Sequence, residues 1–288
     1  MIKVNATRTW RVAALTTVAM TAFAANSLLC RLALRAGHID PASFTSLRLV
    51  SGAAALWLLL RLKGGGQSRA GDWRSAAALV VYAAAFSFAY VSLGVGVGAL
   101  LLFGAVQATM LAAGYRGGER AGPMQSLGLA LSVAGLVFLV MPGLAAPAPL
   151  GAALMLVAGV AWGMYSLRGR GIGDASRATA GNFLRAAPLA LVFNLPFLPR
   201  LHVETLGVIY ALASGALASG LGYVVWYAAL KGLTATRAAI VQLSVPVIAA
   251  FGGVLLLDET VTPRLLVSSC AILGGVTLAV LGKQRRVL

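Results

Sequence analysis

Two stretches decide the fold: PMQSLGLALSVAGLVFLVMP at residues 123–142 and PRLLVSSCAILGGVTLAVLG at residues 263–282. Each is 20 residues long, and together they hold one charge, Arg264. As an α-helix, 20 residues rise about 30 Å, the thickness of the hydrocarbon core of a bilayer. Each run opens on a proline that follows a glutamate four residues earlier, Glu119 before Pro123 and Glu259 before Pro263. Each carries a glycine twelve residues on, Gly135 and Gly275. One lipid-spanning helix is therefore written twice, 140 positions apart.

Further runs of the same kind lie on either side of this pair. Spanning helices are predicted at 11–34, 41–62, 73–93, 97–115, 149–168, 177–197, 205–230 and 235–257, besides the two quoted, for a total of ten. The chain of 288 residues is 60% hydrophobic and only 10% charged. Soluble domains carry about 25% charge. The runs are continuously apolar, unlike the alternating strands of a membrane barrel. The first run follows Lys3, Arg8 and Arg11 as a secretory leader would, but it continues to Leu34 and many more follow, so it is expected to stay as an uncleaved helix.

The net charge of +16 does not mark a nucleic-acid partner, because the basic residues sit in short runs between apolar segments. They read instead as topology signals. With the N-terminus in the cytoplasm, 17 of the 23 Lys and Arg lie on the inner side and only Arg35, Arg200 and Arg264 on the outer, while Arg31, Arg48 and Arg185 lie within helices. This bias predicts a bacterial-type inner membrane with both termini cytoplasmic.

The other helices repeat as well. Ala22 to Ser27 before Arg31 is echoed by Ala161 to Ser166 before Arg170, and Leu47-Arg48 by Leu184-Arg185. The expected architecture is an all-α polytopic protein of ten transmembrane helices, with residues 1–146 and 147–288 forming two five-helix repeats. Five is odd, so the second repeat is inverted, which suits alternating access. With these features the chain resembles the drug/metabolite transporter superfamily in its ten-helix EamA-type branch. The likeness rests on the two Glu-x-x-x-Pro helix starts, the ninth helix with Pro246 running to Asp258-Glu259, and the arginine in the second helix. It is most similar to bacterial amino-acid exporters, the aromatic ones included. The resemblance implies export of small molecules. The pattern departs from symmetry at Gln107, which stands where the ninth helix has Pro246.

All seven acidic residues are expected at helix ends or in loops, which favours a facilitative carrier over one coupled to protons or sodium. Arg48 and Arg185 are expected to snorkel to the interface, with binding of a substrate carboxylate as the alternative. Tyr82, Phe86 and Tyr90 share one face of the third helix. Together with Asn26, Gln107, Trp162, Tyr165, Tyr223, Trp226, Gln242 and Ser244 they form the expected substrate cavity, which suits amphipathic solutes such as apolar or aromatic amino acids. Pro246 is the expected hinge. Bonding between helices is the alternative role for the polar members of this set.

The run Gly94-Val95-Gly96-Val97-Gly98 reads as the turn between the third and fourth helices, and His38 and His202 as solvated loop residues. Gly128, Gly135, Gly274 and Gly275 read as close-packing positions, with a homodimer face on the fifth or tenth helix as one use and a monomer as the other state. Cys30 and Cys270 suggest neither a disulfide nor a metal site. No cofactor, catalytic group or metal is expected, so an enzyme or channel is the lesser reading. A multidrug or other proton-coupled efflux carrier is the nearer alternative.

Overall fold

The computed structural model describes residues 6–62, 70–116, 122–143, 146–169, 172–233 and 235–284. The expected Glu119 and Arg170 fall outside these residues. The described chain is almost entirely helical. Spanning helices α1 to α7 are Ala6–Arg35, Pro41–Leu62, Trp73–Tyr90, Val95–Arg116, Pro123–Val140, Pro149–Arg168 and Ala175–Asn194, the last continued by a tighter turn at Leu195–Arg200. Helix α8 runs over Thr205–Leu212, a wide π-helical stretch Ala213–Leu221, and Gly222–Leu230. Helix α9 comes in two pieces, Ala235–Gln242 and Ser244–Leu257, and α10 is Pro263–Gln284. Among the described residues nine of these spans are long and apolar enough to cross a membrane. The tenth is α3, 18 residues long and diluted by Arg74 and two tyrosines. The fold is a polytopic membrane bundle of two inverted five-helix repeats. Its described ends lie at one face, called here the terminal end, opposite the distal end.

Sequence explains the boundaries. Prolines stand at the first position of α2, α5, α6 and α10, where no helical N–H is needed. Asp72 and Asp174 cap α3 and α7 by accepting from Ser75 N and Arg177 N. Pro246 has no N–H for the carbonyl of Gln242, four residues back, and its ring crowds that carbonyl. The break in α9 therefore falls at Leu243, one turn before the proline expected as the hinge.

The repeats meet at α5 and α10. A side chain at Gly128 would strike the backbone of Gly275 and Ala279, and one at Gly275 would lie 2.5 Å from Gly128 O. These two glycines, offered above to a dimer face, are thus used within the chain. Gly135 likewise abuts Ala271 and Ile272, whereas Gly274 faces open space.

Candidate functional site

A small cavity lies where the repeats face each other, lined by Phe23, Asn26 and Ser27 of α1, Tyr82 and Phe86 of α3, Leu102 and Phe103 of α4, Trp162 of α6, and Ala218 and Tyr223 of α8. Trp162 is its hub. The Trp162 ring stacks on Tyr165 at 5.3 Å and tilts against Tyr82 at 4.9 Å and Tyr223 at 5.0 Å. Phe23 meets Tyr223 edge-on at 5.8 Å. The volume is about 20 Å³, room for one water. The rings therefore nearly fill the space between the halves.

A polar chain runs behind the rings. Ser214 Oγ donates to Asn26 Oδ1 at 2.6 Å, and Asn26 Nδ2 donates to Tyr82 Oη at 3.4 Å. Tyr82 Oη also accepts from Arg48 Nη2 at 3.0 Å, while Arg48 Nε donates to Ser219 Oγ at 3.2 Å. Arg48 is 1% exposed, which corrects the expected snorkelling. Its side chain is held inside the bundle by Tyr82 of α3 and Ser219 in the π stretch of α8, where Gly215 packs on the Arg48 carbonyl. Burying an ion costs several kcal/mol. Stacking of the guanidinium over Tyr82 at 5.1 Å and Phe86 at 4.9 Å returns about 2 kcal/mol. Arg185 behaves as expected of a snorkelling arginine, donating to the carbonyls of Ala70 at 3.0 Å and Gly181 at 2.8 Å near the terminal end.

Of the expected cavity residues, Asn26, Tyr82, Phe86, Trp162 and Tyr223 come together at the lining. Tyr90, Tyr165 and Trp226 form a layer behind it, Tyr90 edge-on to Phe86 at 4.7 Å and Trp226 against Phe23 at 6.0 Å. Gln107 is buried one turn beyond Phe103 on α4. Gln242 and Ser244 bond their own helix, to Ala238 O at 3.4 Å and Val241 O at 2.7 Å, and among the described residues none of α9 lines the cavity. Phe23, Leu102 and Phe103 were missed. Leu102 and Phe103 sit in an apolar stretch where no residue type sets them apart, whereas Phe23 lies one turn before Asn26 and Ser27 on the same face of α1, a spacing that could have pointed to it.

Polar clusters tie the two halves together at each end. At the distal end, Asp258 is left-handed (φ 52°) and turns Glu259 back into the bundle. Glu259 Oε2 accepts from Val95 N at 2.7 Å, placing a carboxylate on the N-terminus of α4, where the helix dipole favours an anion. Glu259 Oε1 lies 3.6 Å from Arg31 Nε, and Arg31 Nη1 donates to the carbonyls of Tyr90 and Val91. Arg35 reaches the carbonyl of Leu257. Gly94 is small because Glu259 sits on it, and Gly98 because Tyr90 does. The glycine run expected as a turn is thus a docking surface as well: the turn covers 91–94, and Gly96 and Gly98 lie inside α4. A hollow of about 320 Å³, lined in part by Arg31, Arg35, Asp258 and Glu259, opens there.

At the terminal end, Arg168 of α6 binds Asp72 Oδ1 at 2.8 Å and Ser75 Oγ at 3.1 Å, and Asp72 N donates to Asn182 Oδ1 at 2.9 Å. The Ser75 hydroxyl, helped by its amide and by Arg168 against partial burial, holds Asp72 down to about 2. On the distal loops both histidines meet Glu204, His38 at 2.6 Å and His202 at 3.4 Å, so they are partnered rather than merely solvated. The His38 hydrogen bond holds the Glu204 carboxyl below its usual range.

The described chain is thus a multi-pass membrane bundle with a small aromatic cavity between its two inverted halves. Residues 149–281 match the model of the EamA-like transporter family. The chain is 57% identical to "Uncharacterized protein PA1977" of Pseudomonas aeruginosa, covering 92% of each chain. It is 28% identical to "Uncharacterized transporter YoaV" of Bacillus subtilis over 58% of this chain and 60% of that one. A solved crystal structure at 21% identity superposes with a TM-score of 0.66 over 92% of this chain and 98% of the other, and so shares its fold.

Proposed function

We propose that the protein exports small amphipathic metabolites, amino acids with apolar or aromatic side chains foremost, by facilitative alternating access across a bacterial-type inner membrane. Residues 1–146 and 147–288 are the two moving halves. The observation that carries this reading is the cavity itself: aromatic faces of Tyr82, Trp162 and Tyr223 beside the amide of Asn26, contributed by both halves. Flat rings accept an aromatic body, and the polar chain beside them accepts its charged end. In this cycle the distal latch at Glu259 and the terminal latch at Asp72 open in turn. A facilitative mechanism accords with the acids, since every described one lies at a helix end or in a loop. The 17-to-3 charge bias supports cytoplasmic termini.

The test is counterflow in liposomes. Unlabelled phenylalanine or tryptophan trapped inside should accelerate saturable entry of the labelled amino acid. Trp162→Ala and Tyr223→Ala should insert normally and change the ranking of substrates. Absence of trans-stimulation by any amino acid would refute the assignment, and uphill uptake driven by a pH gradient would refute its facilitative part.

A further inference from the structure

Among the described residues Arg48 is the only buried side chain that carries a charge, and no described ion pair includes it. A guanidinium has five N–H donors in a flat fork that matches a carboxylate. Here Nε and Nη2 meet only the neutral hydroxyls of Ser219 and Tyr82, and Nη1 has no hydrogen-bond partner at all. The carboxylates of Asp40 and Glu259 are engaged elsewhere. Asp40 accepts from Ala42 N and Ser43 N at the start of α2, and Glu259 caps α4. What covers Arg48 is a pair of cavity-wall rings, Tyr82 and Phe86, which present their negative π faces to it.

We propose that Arg48 binds a carboxylate carried by the transported solute, whose apolar body then lies against Trp162 and Tyr223. The proposal rests on the carrier reading above and narrows it to carboxylate-bearing solutes, which excludes lipophilic amines and cations. In the empty protein the two rings stand in for the missing anion. When a solute enters, Tyr82 and Phe86 turn away and the carboxylate takes the open Nη1 and the Tyr82-bonded Nη2 as a bidentate pair. When it leaves, the rings return, and the empty carrier reorients without a bare buried cation.

The competing role is structural, with Arg48 merely tying α2 to α3 and α8. The two roles differ in how they depend on substrate. Liposomes holding wild type, Arg48→Gln or Arg48→Lys are assayed for counterflow of phenylalanine, phenylalaninamide and phenethylamine, which share the ring but differ in the carboxylate. Wild type should prefer phenylalanine over the other two by roughly 10- to 100-fold, the range of a hydrogen bond to a charged group. Arg48→Gln should bring phenylalanine down to the level of the amide and leave the amide within about 2-fold, and Arg48→Lys should restore part of the preference. Equal loss of all three solutes in Arg48→Gln, with the protein still folded, would overturn the proposal. Should that variant not fold, the wild-type preference decides alone: equal transport of the three solutes overturns the proposal and leaves the carrier reading intact. A wild type that moves none of them overturns both.

Discussion

Glu259→Gln should unlatch the distal end. The substitution keeps an oxygen for Val95 N–H but removes the negative charge facing Arg31. At 3.6 Å and an effective dielectric of about 20, the pair attracts by about 4–5 kcal/mol. The side chains are 13% and 18% exposed, so desolvation cancels most of that, leaving about 1–2 kcal/mol. Arg31 also keeps its bonds to the carbonyls of Tyr90 and Val91, which limits the loss. A net 1–2 kcal/mol is a roughly 5- to 30-fold shift in a two-state equilibrium, here toward the distal-open state. The readout is a cysteine at Ser27, a cavity-lining residue 1% exposed, in a background with Cys30→Ala and Cys270→Ala. A membrane-impermeant maleimide applied from the distal side should label it 5- to 30-fold faster with Glu259→Gln. An unchanged rate, or acceleration only from the terminal side, would refute the latch.

Gly275→Ala should lower the detergent-solubilised melting temperature, because its methyl meets Gly128 O and Ser132 N at 2.5 and 2.7 Å, backbone that cannot yield, at a cost of about 1–3 kcal/mol. Gly274→Ala, facing open space, is the control, and equal melting of both would contradict the crossing. Asp72 is held down to about 2 from 3.8, so its stabilisation is full above pH 4 and fades as pH falls toward 2. Its side chain is 44% exposed, so the change is small. Melting curves taken between pH 5 and 2.5 should therefore be flatter for Asp72→Asn than for wild type, and parallel profiles would remove the terminal latch from the account.

The bundle was legible in the sequence because burial in lipid needs only length and apolarity, and both are local properties. The aromatic face of α3 was legible for the same reason, since Tyr82, Phe86 and Tyr90 recur every four residues. Arg48 was misread because depth along a helix suggested an exit to the interface, while the deciding fact was which neighbour its face meets. The Leu243 break followed from a rule already in hand, as a proline acts on the carbonyl four residues earlier. Glu259 and Val95 are 164 residues apart, and His38 and Glu204 are 166 apart, so no spacing rule connects them. The lining by Leu102 and Phe103 depends on how α4 rotates about its axis, which the apolar run around them does not encode.

Helices α5 and α10 touch through bare backbone at Gly128 and Gly275. Neither side of the contact holds a side chain that could yield, so a methyl on either glycine would have to displace the facing helix as a whole. One close crossing thereby constrains two positions far apart in the chain.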